Sequence, residues 1–124
     1  MKVIIAGGRD FDNYKYLSDT MDNLNIIVSE VVCGGARGAD SLGEQWARNH
    51  NIPVKYFPAD WDGLGNYAGH ARNKQMAEYA DFLVAFWDGK SKGTQNMIST
   101  MQQLGKHGKV MRYESKGMSD TYPW

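Results

Sequence analysis

One cysteine, Cys33, stands among 124 residues, so no disulfide can close within the chain. That fits a reducing compartment. Neither sign of charge is in surplus: 14 basic and 14 acidic residues cancel. A protein that coats nucleic acid through its phosphates needs an excess of Lys and Arg, and the balance argues against that mode. Long apolar runs are absent. The opening MKVIIAGGRD is hydrophobic for only a few residues before glycine. That is too short for a membrane span or a signal-peptide core, so a cytoplasmic protein is expected. His50, His70 and His107 are scattered without paired-ligand spacing, and no metal site is expected. No GxSxG marks a nucleophile elbow around Ser41.

What remains describes an ordinary globular chain, 42% hydrophobic and 23% charged. Its length suits one domain with a real core. No repeat, low-complexity tract or linker is visible. A domain over residues 1–114 and a polar, aperiodic tail over residues 115–124 are expected.

Strand-length apolar runs alternate with helical patterns. Val3–Ala6 is continuous and apolar, as expected of a strand buried on both faces. Further strands are expected at Glu30–Cys33, Val54–Phe57, Phe82–Phe86 and Lys109–Tyr113. Helical spacing joins Tyr14, Leu17, Met21 and Leu24, and then Ala39, Leu42, Trp46 and Ala47. A third helix carries Arg72, Met76 and Ala80, and a fourth Met97, Ile98, Met101 and Leu104. Such alternation predicts an α/β domain: a mainly parallel five-stranded sheet in three layers, with helices on both faces. Ligands in such sheets bind beyond the carboxyl ends of the strands.

The glycines fall at that edge. Gly7 and Gly8 follow the first strand, Gly34, Gly35 and Gly38 the second, and Gly89 and Gly93 the fourth. Each loop leads towards a helix whose first N–H groups are open to an anion. The loops are not the ATPase phosphate loop, GxxxxGK followed by Ser or Thr, nor the dinucleotide fingerprint GxGxxG. A single such loop reads as a tight turn. Three converging loops read as a ligand site. Arg9, Arg37, Arg72, Lys90 and Lys92 lie in or just after carboxyl-edge loops and suit phosphate. Asp10, Asp40, Asp60, Asp62 and Asp88 share those loops, so the edge is mixed in sign. Trp61, Tyr67 and Trp87 are near it, and an aromatic there either plugs the sheet end or stacks on a base. The stretch from Pro58 to Gly69 is long for a loop in so small a domain.

Five ordered motifs, GGRDF, CGGARGAD, FPADW, ARNKQM and AFWDGKSKGT, resemble the YspA-like family of the SLOG superfamily. The resemblance runs from Lys2 to about Tyr113. It implies a Rossmann-like domain that binds nucleotides or nucleotide-derived ligands at the glycine-rich edge, and it allows for a homo-oligomer, with Tyr122 and Trp124 of the tail in a contact. The superfamily includes the LOG phosphoribohydrolases and the DprA-type single-strand DNA binders. LOG enzymes carry an arginine four residues before a methionine and then a PGGxGTxxE loop. Arg72 stands four residues before Met76, and Gly93 and Thr94 match the GT pair. Met97 takes the place of the glutamate. Cleaving an N-glycosidic bond commonly uses a carboxylate, which methionine does not supply.

The first reading is therefore a nucleotide-ligand-binding protein, a sensor or modulator that requires no cofactor. Gly7, Gly8, Gly34, Gly35, Gly38, Gly93 and Thr94 would hold phosphate, with Asp40 in the same loops. Arg9, Arg37 and Arg72 would neutralise it, and Trp61 or Trp87 would stack on the base. The second reading is a nucleoside-phosphate N-glycosidase using Arg72 with Asp88 or Asp10 as substitute carboxylate. Single-strand DNA binding ranks third, because the chain is near neutral.

Overall fold

The computed structural model describes residues 1–58, 63 and 68–114. The elements run β1 (Lys2–Gly7), α1 (Tyr14–Asp22), β2 (Glu30–Cys33), α2 (Ala39–Asn49), β3 (Val54–Tyr56), α3 (Ala68–Tyr79), β4 (Phe82–Trp87), α4 (Lys92–Gln103) and β5 (His107–Arg112). Asp60, Trp61, Asp62, Tyr67 and the tail over residues 115–124 lie outside the described residues.

All four strand pairings are parallel, and the order is β3-β2-β1-β4-β5. The chain is thus a doubly wound α/β fold of Rossmann type. Alternation along the strands builds two cores. Val3, Ile5, Val31, Val84 and Phe86 face α1 and α2, where Leu17, Met21 and Trp46 meet them. Ile4, Ala6, Val32, Leu83 and Ala85 face α3 and α4, where Met76, Ala77, Met97 and Met101 meet them. Each of the Val, Leu, Ile, Phe and Met side chains contributes roughly 1.5–3 kcal/mol by leaving water. Both central strands are buried on both faces, which is why they read as unbroken apolar runs.

Local signals set the helix ends. The Asn13 side chain accepts from the Tyr16 N–H at 3.0 Å and starts α1. Ser91 does the same for α4 through Thr94 N–H at 3.5 Å. The Lys106 ammonium donates to the carbonyls of Ala77, Glu78 and Ala80 and satisfies the end of α3. β5 begins at His107, two residues before the expected start. It lies at the sheet edge with most side chains exposed, so its polar first residues belong to the strand without adding to an apolar run. β3 is one residue shorter than expected, ending at Tyr56, although the Phe57 N–H still bonds the Cys33 carbonyl at 3.0 Å.

Candidate functional site

In this strand order the chain turns one way from β1 to β2 and the other way to β4. The crevice between those two crossovers opens at the carboxyl ends of β1 and β4. Gly7 and Asp88 sit on its two sides, and the first turn of α4 closes it with Gly93 and Thr94. The cleft continues past Arg9 and Arg72 to the end of β2, where Gly34, Gly35, Arg37 and Tyr56 line a second compartment. The two compartments measure about 420 and 480 Å³, within the roughly 300–1,000 Å³ usual for ligand pockets.

The loop after β1 is fixed by backbone contacts. The Gly8 N–H donates to the Phe86 carbonyl at 3.2 Å, and the Gly8 carbonyl accepts from Ala39 at 3.2 Å. Gly38, with φ +75°, caps α2 against that carbonyl, and a Cβ there would collide with it. A Cβ on Gly8 would strike the Tyr113 hydroxyl, which donates to Asp10 Oδ1 at 2.6 Å. These glycines are demanded by packing. Gly93 is different: a Cβ added there meets nothing within 4 Å, and its φ is ordinary. The fold does not require glycine at the start of α4. The N–H groups of Lys92 and Gly93 have no acceptor within the helix.

The loop after β2 is closed by its own aspartate. Asp40 Oδ2 accepts from Gly34 N–H at 3.1 Å and Ala36 N–H at 3.3 Å. Burial pushes the Asp40 pKa up, opposed by those two N–H groups and by the Arg72 and Arg9 cations. Cys33 beside it is buried, and desolvation with the Asp40 charge pushes its thiol to about 11. Such a thiol packs and does not react.

Arg72 projects from α3. Its Nη1 donates to the Gly34 carbonyl at 3.1 Å, and its Nε is buried without a hydrogen-bond partner among the described residues. Arg9 is exposed and borders both compartments. Arg37 is exposed and lines only the second of the two. Asp88 Oδ1 accepts from the N–H groups of Lys90 and Ser91, both at 2.8 Å, and shapes the turn into α4. Met97 and Met76 are buried in the wall of the first compartment.

Of the aromatic candidates, Trp87 is placed away from the cleft lining. Its Nε1 donates to the Ser91 carbonyl at 3.1 Å, and the Arg112 guanidinium lies 4.7 Å from its ring centre. Trp61 lies outside the described residues. Sequence reasoning missed Asn73, which lines the cleft and donates to Gly93 O at 3.2 Å and Asn96 Oδ1 at 2.9 Å. Its signal was present: Asn73, Met76, Ala77 and Ala80 share one buried stripe, and Asn73 is the polar member. Tyr56 and Tyr113 were missed as well, and no local pattern announces them.

A family model described as the YspA, cpYpsA-related SLOG family matches residues 1–63. The chain belongs to this SLOG family. The gene 61 protein of Mycobacterium phage D29 is 38% identical over 113 residues, covering 84% of this chain and 90% of the phage protein. In structure, this SLOG chain is similar to DNA processing protein A (DprA) from Streptococcus pneumoniae, with a TM-score of 0.73 over 88% of the chain at 15% identity. It spans 49% of the DprA chain, about half its length, and at that identity the likeness concerns the fold. The matched SLOG stretch carries Gly7 to Arg9 and Gly34 to Asp40. Arg72, Asp88, Gly93 and Thr94 lie beyond it. Among the described residues, no helix is long and apolar enough to cross a membrane.

Proposed function

We propose that this SLOG protein binds a nucleotide or nucleotide-derived phosphate compound in the carboxyl-edge cleft and acts as a sensor or modulator. One observation carries the reading. Two arginines, Arg9 and Arg72, border the same cleft as an α4 N-terminus whose second residue is a glycine that packing does not require. A glycine there leaves the helix N–H groups open to close approach by phosphate oxygens. Arg72 Nε, buried without a partner among the described residues, adds a donor that calls for an acceptor.

A second reading is N-glycosidic cleavage of a nucleoside phosphate. Asp10 and Asp88 line the same compartment as Arg72 and would stand in for the carboxylate absent at Met97. Against it, Asp10 holds Tyr113, Asp88 holds the turn into α4, and Met97 gives that wall an apolar surface. Binding without cleavage is favoured.

The test is a thermal-shift screen against nucleotides, dinucleotides and ADP-ribose derivatives, with base release followed in the same wells. Ligand at about a hundred times its dissociation constant stabilises a fold by roughly 2.7 kcal/mol. Stabilisation without base release is expected. Base release would install the glycosidase reading. No shift with any compound would overturn both.

A further inference from the structure

The charge of this chain is balanced only in total. From Gly89 to Tyr113 there are five Lys and Arg residues and no Asp or Glu. The rest of the chain holds the other nine basic residues against all 14 acidic ones. That stretch is α4 with β5, so one flank of the molecule is basic and the remainder acidic. The phosphate cleft does not account for this. Lys90, Lys92, Lys109 and Arg112 are exposed, and none of them lines either compartment.

β5 is also an open side of the sheet. Among the described residues it pairs with β4 alone. The Tyr113 N–H donates to the Trp87 carbonyl of β4, whereas the Arg112 carbonyl accepts from the Tyr16 hydroxyl. Peptide groups alternate in direction along a strand, so Gly108 and Val110 turn their N–H and C=O outward with Arg112. The side chains divide as well. Met111 packs on the α1 and α2 side, and Lys109 shares that face. On the α4 side a recess of about 70 Å³ is bordered by Leu83, Ile98, Met101 and Val110. Gly108 borders it too and has no side chain to fill it. Val110 stays 42% exposed beside it, an apolar side chain left uncovered on a charged flank.

We propose that β5 is a docking edge for an extended acidic segment of another protein, which joins the sheet as a further strand. Its backbone bonds the outward groups of Gly108 and Val110, its carboxylates face Lys109 and Arg112, and one of its apolar side chains enters the recess. A single lysine on an edge strand serves to keep other strands away. Here the charge runs over two elements and flanks an apolar recess, which selects a strand of opposite charge. A second copy joining β5 to β5 would set Lys109 and Arg112 against their own kind. Residues 115–124, with one Lys and one Asp, have no acidic surplus to match the flank. Phosphate contacts use neither outward peptide groups nor an apolar recess, so the partner is a polypeptide. The proposal is independent of the cleft.

The test titrates the whole chain against a fluorescein-labelled peptide of alternating Glu and Val, about seven residues long, read by fluorescence anisotropy. Saturable binding that weakens as salt is added is expected. Lys109→Glu is expected to weaken it about tenfold or more. Val110→Pro removes one outward N–H, a change that edge strands tolerate, and is expected to weaken it about as much. A matching peptide of alternating Lys and Val should not bind. Circular-dichroism melts show whether both variants fold; if Val110→Pro does not, Lys109→Glu and the Lys–Val peptide decide. No binding by the wild type, equal binding of the Lys–Val peptide, or unchanged affinity in a folded variant overturns the proposal. A labelled oligothymidylate that displaces the peptide and still binds Val110→Pro would give the flank to nucleic acid instead. A dimer in sedimentation that Val110→Pro dissociates would give it to a second copy.

Discussion

Arg72 reaches 38 residues back along the sequence to donate to the carbonyl of Gly34, and so ties α3 to the loop after β2. The bond is charge-assisted on one side only, and the guanidinium is half-buried. Arg72→Ala is expected to cost about 1 kcal/mol in urea unfolding and to weaken the binding of ADP about tenfold or more. Arg72→Lys should regain charge but not the forked geometry, and so recover affinity in part. Unchanged ADP affinity in Arg72→Ala would remove the residue from the site.

Gly93 and Gly38 make opposite predictions from the same substitution. Gly93→Ala places a methyl in open space on a helix, so stability should hold or rise by up to about 1 kcal/mol. Its ligand affinity should drop, because the methyl obstructs approach to the α4 N–H groups. Gly38→Ala forces a side chain into positive φ and against the Gly8 carbonyl, so at least about 1–2 kcal/mol of stability should be lost. Denaturant curves paired with ADP titrations separate the two. Equal behaviour of the two variants would show that Gly93 has no role of its own.

Asp40 gives stability a pH dependence of definite sign. Its folded pKa is raised above the ordinary carboxylate value of 3.8, so in that window the native state holds the proton more tightly than the unfolded chain. The contribution is fully present below the unfolded pKa and is lost as pH rises through the folded one. Asp40→Asn keeps an oxygen for Gly34 and Ala36 N–H but has no charge to bury. The stability difference between wild type and Asp40→Asn, followed by chemical denaturation from acid to neutral pH, should shift in favour of the variant as pH rises. With the counter-charge gone from beside Arg9 and Arg72, the variant should also bind ADP more tightly at neutral pH. A flat difference would contradict the assignment.

Cys33 should be silent in the native protein. With its thiol pushed to about 11, almost no thiolate exists at pH 8, and burial blocks access as well. Ellman's reagent is expected to react with the single thiol only after unfolding. Rapid reaction under native conditions would show that the end of β2 opens readily.

The sheet was legible in the sequence where both faces of a strand are buried. Val3 to Ala6 and Leu83 to Phe86 are apolar without interruption, and each strand was found within a residue or two of its place. β5 was blurred because this edge strand leaves most of its side chains exposed, and its first residues, His107 and Gly108, look like loop. The carboxyl-edge location of the glycine and arginine loops followed from the parallel order of strands and helices. The purpose of the individual glycines did not. Gly8 answers to Tyr113, over a hundred residues away, and Gly34 to Arg72. Trp87 makes the same point: it lies at the expected edge, and its contacts there are the Ser91 carbonyl and the Arg112 guanidinium. Sequence position gives an edge, whereas the partner that aims a side chain comes from elsewhere in the fold.

The hydroxyl that meets Asp10 belongs to Tyr113, one residue past the last strand. A growing chain therefore carries its three glycine loops and the three cleft arginines, Arg9, Arg37 and Arg72, well before it carries the hydroxyl that meets the first of those loops. Until β5 has joined the sheet beside β4, the segment from Gly8 to Phe11 rests on its backbone bonds to Phe86 and Ala39 and lacks that side-chain anchor. A chain cut short before residue 113 would keep the glycines and arginines of the cleft and lack the hydroxyl that holds Asp10.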